Sequence, residues 1–289
     1  MVNASTQKKI ATLKKEFEIL KRGNDSLLQI LDEVELPELV YNSNAIENST
    51  LTLKETERIL LEQEAMRQVS VRELFEAKNL ARVTEYLRSR ADIALNTEAI
   101  LLLHMMLIGG INDSIAGRFR NAHEYVRVGT HIAPAPEQVE QLLDNLLAEH
   151  ESNHERYFLE RLVYFHLEFE RIHPFVDGNG RIGRVLINLQ LAKLGFPPVI
   201  IRNKGKQDSY YPAFRAFQEN KKTDLLDRQL ALALMESLHK RLAYLKGQEI
   251  IKLSDFAKSK ETSINSLINA ARRQTIPAFR EKGVWKIGT

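Results

Sequence analysis

The residues best equipped for chemistry lie in one short run, His173-Pro174-Phe175-Val176-Asp177-Gly178-Asn179-Gly180-Arg181-Ile182-Gly183-Arg184. Gly178 and Gly180 allow successive backbone N–H groups to turn into one concavity at the start of a helix, which is an anion-binding nest. Arg181 and Arg184 fall on one face of the first turn of that helix. Cations there oppose the helix dipole, at about 0.3–1 kcal/mol each, and a bound polyphosphate reverses that sign. His173 suits proton transfer near neutral pH, and Asp177 suits an oxygen-seeking cation such as Mg²⁺. Any one of these features alone is ordinary: a structural histidine, a Gly-Asn-Gly turn, two solvated arginines. Their concentration in a single run points to phosphate chemistry.

The run resembles the Fic signature H-P-F-x-[D/E]-G-N-G-R-x-x-R and matches every fixed position. The resemblance extends to Gly117-Arg118-Phe119-Arg120, to Val126 through Gly129 and Pro134 through Val139, and to residues 186–217 with Tyr210-Tyr211; it covers roughly residues 35–240. It implies that AMP is transferred from ATP to a hydroxyl side chain (Ser, Thr or Tyr) of a target protein. His173 would be the general base and Asp177 the ligand of Mg²⁺ or Mn²⁺. Gly178, Asn179, Gly180, Arg181 and Arg184 would hold the phosphates, with Tyr210 and Tyr211 lining the adenine pocket. A flap through Val126 and Val128 would dock the target segment by strand addition. A relative known as Doc, which transfers phosphate, has lysine where this chain has Gly180, so Gly180 favours nucleotidyl transfer; UMP and other nucleotides stay open.

Ser43-Asn44-Ala45-Ile46-Glu47-Asn48 resembles the family's inhibitory motif, [S/T]-x-x-x-E-[G/N], placed N-terminal to the core. The resemblance implies that Glu47 pairs with Arg184 and denies it to the γ-phosphate, leaving ATP poorly aligned for attack. Ser43 belongs to the same motif. Some relatives use this glutamate to remove AMP, and that reverse reaction stays open. So does a homodimer.

The elements that must position these groups read as helices. Apolar residues at three and four spacing run from Ile10 to Leu31. Thr52 with Glu55 forms a capping box for a helix through Ile59 and Leu61. Further helices are predicted from about Val71 past Leu87, from Asn96-Thr97 through Met106, over 137–148 and 155–171, then from the motif to Gly195, and on to about Leu245. Gly117 to Pro136 interrupts the pattern as a short hairpin or flap. The fold class is mainly α: a Fic-type helical bundle with a β-hairpin flap and a small C-terminal winged-helix (α+β) domain. The boundaries fall at 1–95 (N-terminal helical region), 96–245 (catalytic core) and 249–289.

Bulk composition sets the frame. With 44% hydrophobic and 27% charged residues among 289, the chain reads as an ordinary globular protein. Cysteine is absent, which excludes disulfides, thiolate metal sites and a cysteine nucleophile. The polar start and the short apolar run from Ala99 to Leu107 offer neither a signal peptide nor a membrane span, so the expected location is cytoplasmic. Residues 249–289 hold eight Lys or Arg against four Asp or Glu, +4, while the remainder holds 33 against 34, −1. Within that tail, Ser254 is expected to cap a first helix, Ile264 to Ala271 form a second, and Lys282-Gly283 turn a two-stranded wing. Lys258, Lys260, Arg272, Arg273, Arg280, Lys282 and Lys286 could meet DNA phosphates. A transcription regulator with a helical scaffold is therefore the alternative from another class, although His173 and Asp177 have no use in a scaffold.

Overall fold

A computed structural model describes residues 1–62, 69–90, 92–129 and 131–289. Its centre is a pair of buried helices, α7 (Phe158–Ile172) and α8 (Asn179–Lys193), joined by the loop 173–178 that carries the first half of the chemical run. Both helices are apolar on more than one face, and that is why they sit inside. Phe165, Phe169, Ile182 and Val185 pack toward α2 (Asp25–Ile46), α4 (Val71–Ser89), α5 (Thr97–Ile108) and α6 (Val139–Ser152). Leu162, Leu167, Ile187 and Leu191 pack the other way, toward α1 (Ala4–Leu20), α9 (Tyr211–Asn220) and α10 (Asp224–Leu245). A helix hydrophobic nearly all round belongs between layers. The N-terminal helices and the core share the first of these apolar clusters.

The N-terminal region breaks the helical period that runs from Ile10 to Leu31 into two helices. Gly23, at φ 77°, turns the chain between α1 and α2, and α2 then runs uninterrupted through Pro37 as far as Ile46. Pro37 keeps its place because the body around it holds α2 on several sides, so packing outweighs the lost hydrogen bond. The capping box at Thr52 is present, opening α3 (Leu53–Glu57), and Asn96 caps α5 by accepting from the Ala99 N–H.

The flap is a hairpin of β1 (Arg127–Val128) and β2 (His131–Ile132), with Arg127 opposite Ile132; Thr130 lies outside the described residues. Beyond α10, residues 250–288 form β3 (Ile250–Lys252), α11 (Leu253–Ser259), α12 (Ile264–Arg272), β4 (Ala278–Glu281) and β5 (Val284–Gly288). The expected two-stranded wing has a third strand: the order is β3-β5-β4, all antiparallel. That strand runs directly into α11, so Lys252, not Ser254, occupies the N-cap position. No described helix is long and apolar enough to cross a membrane.

Candidate active site

The loop between α7 and α8 is held by its own side chains and by two clamps from outside. Asn179 closes it from within: its side-chain oxygen accepts from the Phe175 N–H (2.9 Å) and its amide donates to the Phe175 carbonyl (2.8 Å). Gly178 takes φ 84°, a left-handed conformation that a side chain disfavours. His173 also sits in that region, at φ 52°, with its N–H still bonded to the Phe169 carbonyl. Strain of this kind persists only where the surroundings over-determine it.

The first clamp is Arg120, 3% exposed, whose guanidinium donates to the carbonyls of His173 (2.7 Å), Pro134 (2.9 Å), Ile172 (3.2 Å) and Glu124 (3.1 Å). It thereby ties flap to loop. The second is His104, stacked on Phe175 with centroids 3.6 Å apart. Its Nδ1 accepts from the Gly117 N–H at 3.0 Å, so Nε2 carries the proton and donates to the Asp177 carbonyl at 3.0 Å. Burial pushes His104 down to about 4, which keeps this neutral tautomer.

His173 is half-buried. Its Nδ1 lies 3.3 Å from the Glu170 carbonyl, and since a carbonyl only accepts, Nδ1 donates and Nε2 is left with a free lone pair. Burial pushes its pKa down to about 4, with Arg120 adding to the effect, so the imidazole is neutral at pH 7. Asp177 meets Arg72 on one oxygen and Arg181 on the other, at 3.0 Å for Arg181. Burial disfavours its charge, but Arg181 and Arg72 outweigh burial and hold the carboxyl below its usual range. Arg181 is 2% exposed; its Nη1 lies 3.2 Å from Glu76 Oε1, and its buried Nε has no partner. An unpaired buried guanidinium N–H at a helix N-terminus is a donor without an acceptor.

Arg184, 6% exposed, is surrounded on every side. Nε donates to the Ser43 hydroxyl (2.9 Å), Nη2 to the Ser43 carbonyl (2.8 Å) and to Glu47 Oε1 (2.8 Å), and Nη1 to the Tyr210 hydroxyl (3.2 Å). Burial works against the charge of Arg184, but Tyr210 and Glu47 outweigh it and raise its pKa. Glu47 also fills the space over the nest: a Cβ added at Gly180 would fall 2.1 Å from Glu47 Oε1. The nest and the second arginine are thus both covered by the end of α2.

The two tyrosines serve that covering arrangement. Tyr210 is 2% exposed, edge-on to Phe214, with its hydroxyl shared between Arg184 and His166 Nε2 (3.0 Å). It braces Arg184 and offers no open face. Tyr211 donates to the Ile46 carbonyl at 2.5 Å, and Lys206 donates to the carbonyls of Ala45 (2.7 Å) and Ile46 (3.1 Å), a cation closing the C-terminus of α2. Val126 and Val128 lie on the flap, where the Val126 carbonyl accepts from the Ala133 N–H at 3.0 Å and Val128 is exposed.

Several groups at the site escaped the sequence reading. Glu170 stands one helical turn before His173, with Oε2 3.9 Å from Nδ1 and Oε1 buried without a partner. Burial, reinforced by the charge of Glu47, pushes its carboxyl up to about 8, so it is mostly protonated at pH 7. The i−3 spacing from His173 was the available signal. Arg72 and Glu76 carried none, because only the packing of α4 brings them to Asp177 and Arg181. Among the described residues no group of three or more His, Asp or Glu could hold a metal unaided. Asp177 nevertheless fits the usual pattern for Mg²⁺, in which one or two carboxylates act together with substrate phosphates and water.

The expected DNA-facing charge of the tail is partly spent internally. Arg280 pairs with Glu236 (2.6 Å), Lys282 with Glu57 (2.9 Å) and Lys286 with Glu281 (2.5 Å). Glu38 of α2 accepts from the backbone N–H groups of Lys282 (3.0 Å) and Gly283 (3.1 Å). The turn of the wing is therefore docked on the helix that covers the active site.

Comparison with known proteins finds relatives of one kind. The family model described as Fic/DOC family matches residues 94–191. Protein adenylyltransferase Fic of Nematostella vectensis is 35% identical over 179 residues, 59% of this chain and 41% of that protein. Its Drosophila melanogaster namesake is 34% identical over 178 residues, 60% and 35%. The chain thus spans well under half the length of these relatives. Among solved structures, a Fic domain containing signaling protein from Bacteroides thetaiotaomicron superposes with a TM-score of 0.73 at 23% identity, over 83% of this chain and 97% of that one. Fic-1 from C. elegans gives 0.70 at 25%, over 82% and 70%. A Fic family protein from Desulfovibrio desulfuricans G20 gives 0.64 at 21% and covers 100% of this chain, C-terminal module included, and 97% of its own. Residues 94–191 thus match the Fic/DOC family model, with the motif loop toward their C-terminal end.

Proposed function

We propose that the chain is a protein adenylyltransferase, moving AMP from ATP to a hydroxyl side chain of a target protein, and that Glu47 restrains it. The observation that carries this reading is a neutral imidazole with a free Nε2 beside a glycine nest and two buried guanidinium groups at one helix N-terminus. Relatives at 34–35% identity named Protein adenylyltransferase Fic support it.

In this reading the triphosphate lies against the backbone N–H groups that open α8, which have no intrahelical partner. Arg181 turns its unpaired Nε–H to it, and Arg184 takes the γ-phosphate once Glu47 has left. His173 Nε2 accepts the proton of the target hydroxyl. The oxygen attacks the α-phosphorus, the bond to the bridging β-oxygen breaks, and pyrophosphate leaves. Asp177 would hold Mg²⁺ after Arg72, a largely exposed side chain, swings away. The ion supplies neutralisation of phosphate charge. Positioning and charge neutralisation dominate such reactions. The outer edge of the flap at Val126 and Val128 would pair with the target backbone.

Glu47 competes with the γ-phosphate for Arg184 and overhangs Gly180, so nucleotide bound beside it is misaligned. The test is incubation of the parent, Glu47→Gly and His173→Ala with ATP labelled on the α-phosphate and with cell lysate. Label is expected on the Glu47→Gly variant or its targets and none with His173→Ala. Unlabelled protein throughout the Glu47→Gly reaction sinks the assignment.

A further inference from the structure

Along one face of α2 lies a cavity of about 280 Å³. An interior packed at ordinary density leaves few voids larger than a water molecule. This one has a consistent wall. Leu28, Asp32, Leu36, Leu39 and Ser43 line it at spacings of four, four, three and four, which is one stripe along the whole of α2. Facing them are Leu80 and Leu87 of α4, Val185 of α8 and the segment Pro197 to Ile201. The stripe that would ordinarily be packed is roofing a space.

Two features make this space more than a packing fault. Its buried end includes Ser43 and Arg184, the same pair that anchors the covering glutamate. Its exposed edge carries Arg88 and Lys21. Arg88 has no hydrogen-bond or ion-pair partner among the described residues, and Lys21 pairs with Glu18 at 2.7 Å and lies over the Phe17 ring. Glu85 also reaches that edge, and Asp32 pairs with Arg241 at 2.6 Å, an arginine it shares with Glu35. The cavity is apolar along its length, with the unpaired guanidinium of Arg88 at the mouth as its one free donor group among the described residues, beside Glu85.

We propose that this cavity binds a medium-chain amphipathic carboxylate, its alkyl chain along α2 and its head group at Arg88, and that binding strengthens the restraint imposed by Glu47. An apolar cavity of about 150 Å³ accommodates benzene, so this volume suits a chain of about eight to twelve carbons. The direction of the effect follows from the geometry. The cavity exists only while α2 is seated as its roof, so a ligand that needs the roof favours the seated state. The regulatory half rests on the adenylyltransferase reading; the binding half does not.

The experiment uses the full chain with decanoate as probe, decanol as head-group control, and calorimetry and thermal melting as readouts that need no catalysis. Saturable binding of one decanoate, a raised melting temperature, and at least tenfold weaker binding of decanol are expected. Arg88→Ala should bring decanoate down to the decanol level, and Leu39→Trp, which fills the cavity, should abolish binding of both. Decanoate should lower AMP transfer by the parent and leave Glu47→Gly unaffected. Non-saturable binding, equal binding of the two probes, or unchanged binding in both variants overturns the site. Binding that leaves the parent's AMP transfer unchanged overturns the coupling. Absence of AMP transfer from every variant, with binding intact, condemns the adenylyltransferase reading and leaves the site standing.

Discussion

Ser43 offers a sharper test of the restraint than Glu47 itself, because its hydroxyl touches Arg184 and would touch no part of a bound nucleotide. Ser43→Ala removes the acceptor of the 2.9 Å bond from Arg184 Nε, while the Ser43 carbonyl and Glu47 still hold Nη2. Hydrogen bonds to charged groups contribute about 1.5–3 kcal/mol. The cavity behind Ser43 can admit a water to the orphaned N–H, which places the loss near the lower end, at about 1.5 kcal/mol. That cost falls on the seated state of α2 alone, since an Arg184 released to phosphate finds other acceptors. The seated-to-released ratio therefore drops about tenfold. The assay is self-labelling and target labelling by parent, Ser43→Ala, Glu47→Gly and the double variant. Ser43→Ala should gain about tenfold, short of Glu47→Gly, and the double variant should match Glu47→Gly, because both act on one equilibrium. A Ser43→Ala protein that melts earlier yet labels at the parental rate would refute the argument: the bond would then hold the fold together without holding the brake.

Three further outcomes follow from the site. His104→Phe keeps the stack on Phe175 but orphans the Gly117 N–H and the Asp177 carbonyl, at about 1–3 kcal/mol each; calorimetry should show a melting temperature lower by roughly 5–15 °C, and labelling by Glu47→Gly should require more Mg²⁺. Arg120→Lys loses the planar fork that spans flap and loop, so kcat of the Glu47→Gly background should fall about tenfold with the KM for ATP little changed, by misplacement of His173. The third is a pH effect. Burial moves His173 down to about 4, so its basic form persists as pH falls through 6.5, and kcat/KM of Glu47→Gly should show no acid limb at 6.5; a midpoint there contradicts the geometry. Burial also lowers His104, His166 and His239. Between 6.5 and about 4 the unfolded chain binds protons these groups refuse, so stability falls with pH by up to about 1.4 kcal/mol per unit for each. Glu170, raised to about 8, acts with the opposite sign, losing stability as pH rises from its usual carboxyl range through 8. Denaturant melts at pH 5, 6.5 and 8 separate the two.

The motif residues and the helical periods on either side were legible in the sequence because they are local properties. Gly178 and Gly180 announce a nest, Thr52 and Asn96 announce caps, and the stretches 155–171 and from the motif to Gly195 read as helices, each from neighbours a few positions away. Glu47 could be tied to Arg184 only through the resemblance to relatives, since 137 residues separate them. Tertiary packing decided the rest. It carried α2 through Pro37, turned Tyr210 inward to brace Arg184, brought Arg72 onto Asp177, spent Arg280 and Lys282 on the body of the protein and Lys286 on Glu281 beside it, and left a void along one face of α2. None of these follows from local propensity: each is set by how far one helix slides against another, which depends on the volume of every side chain between them.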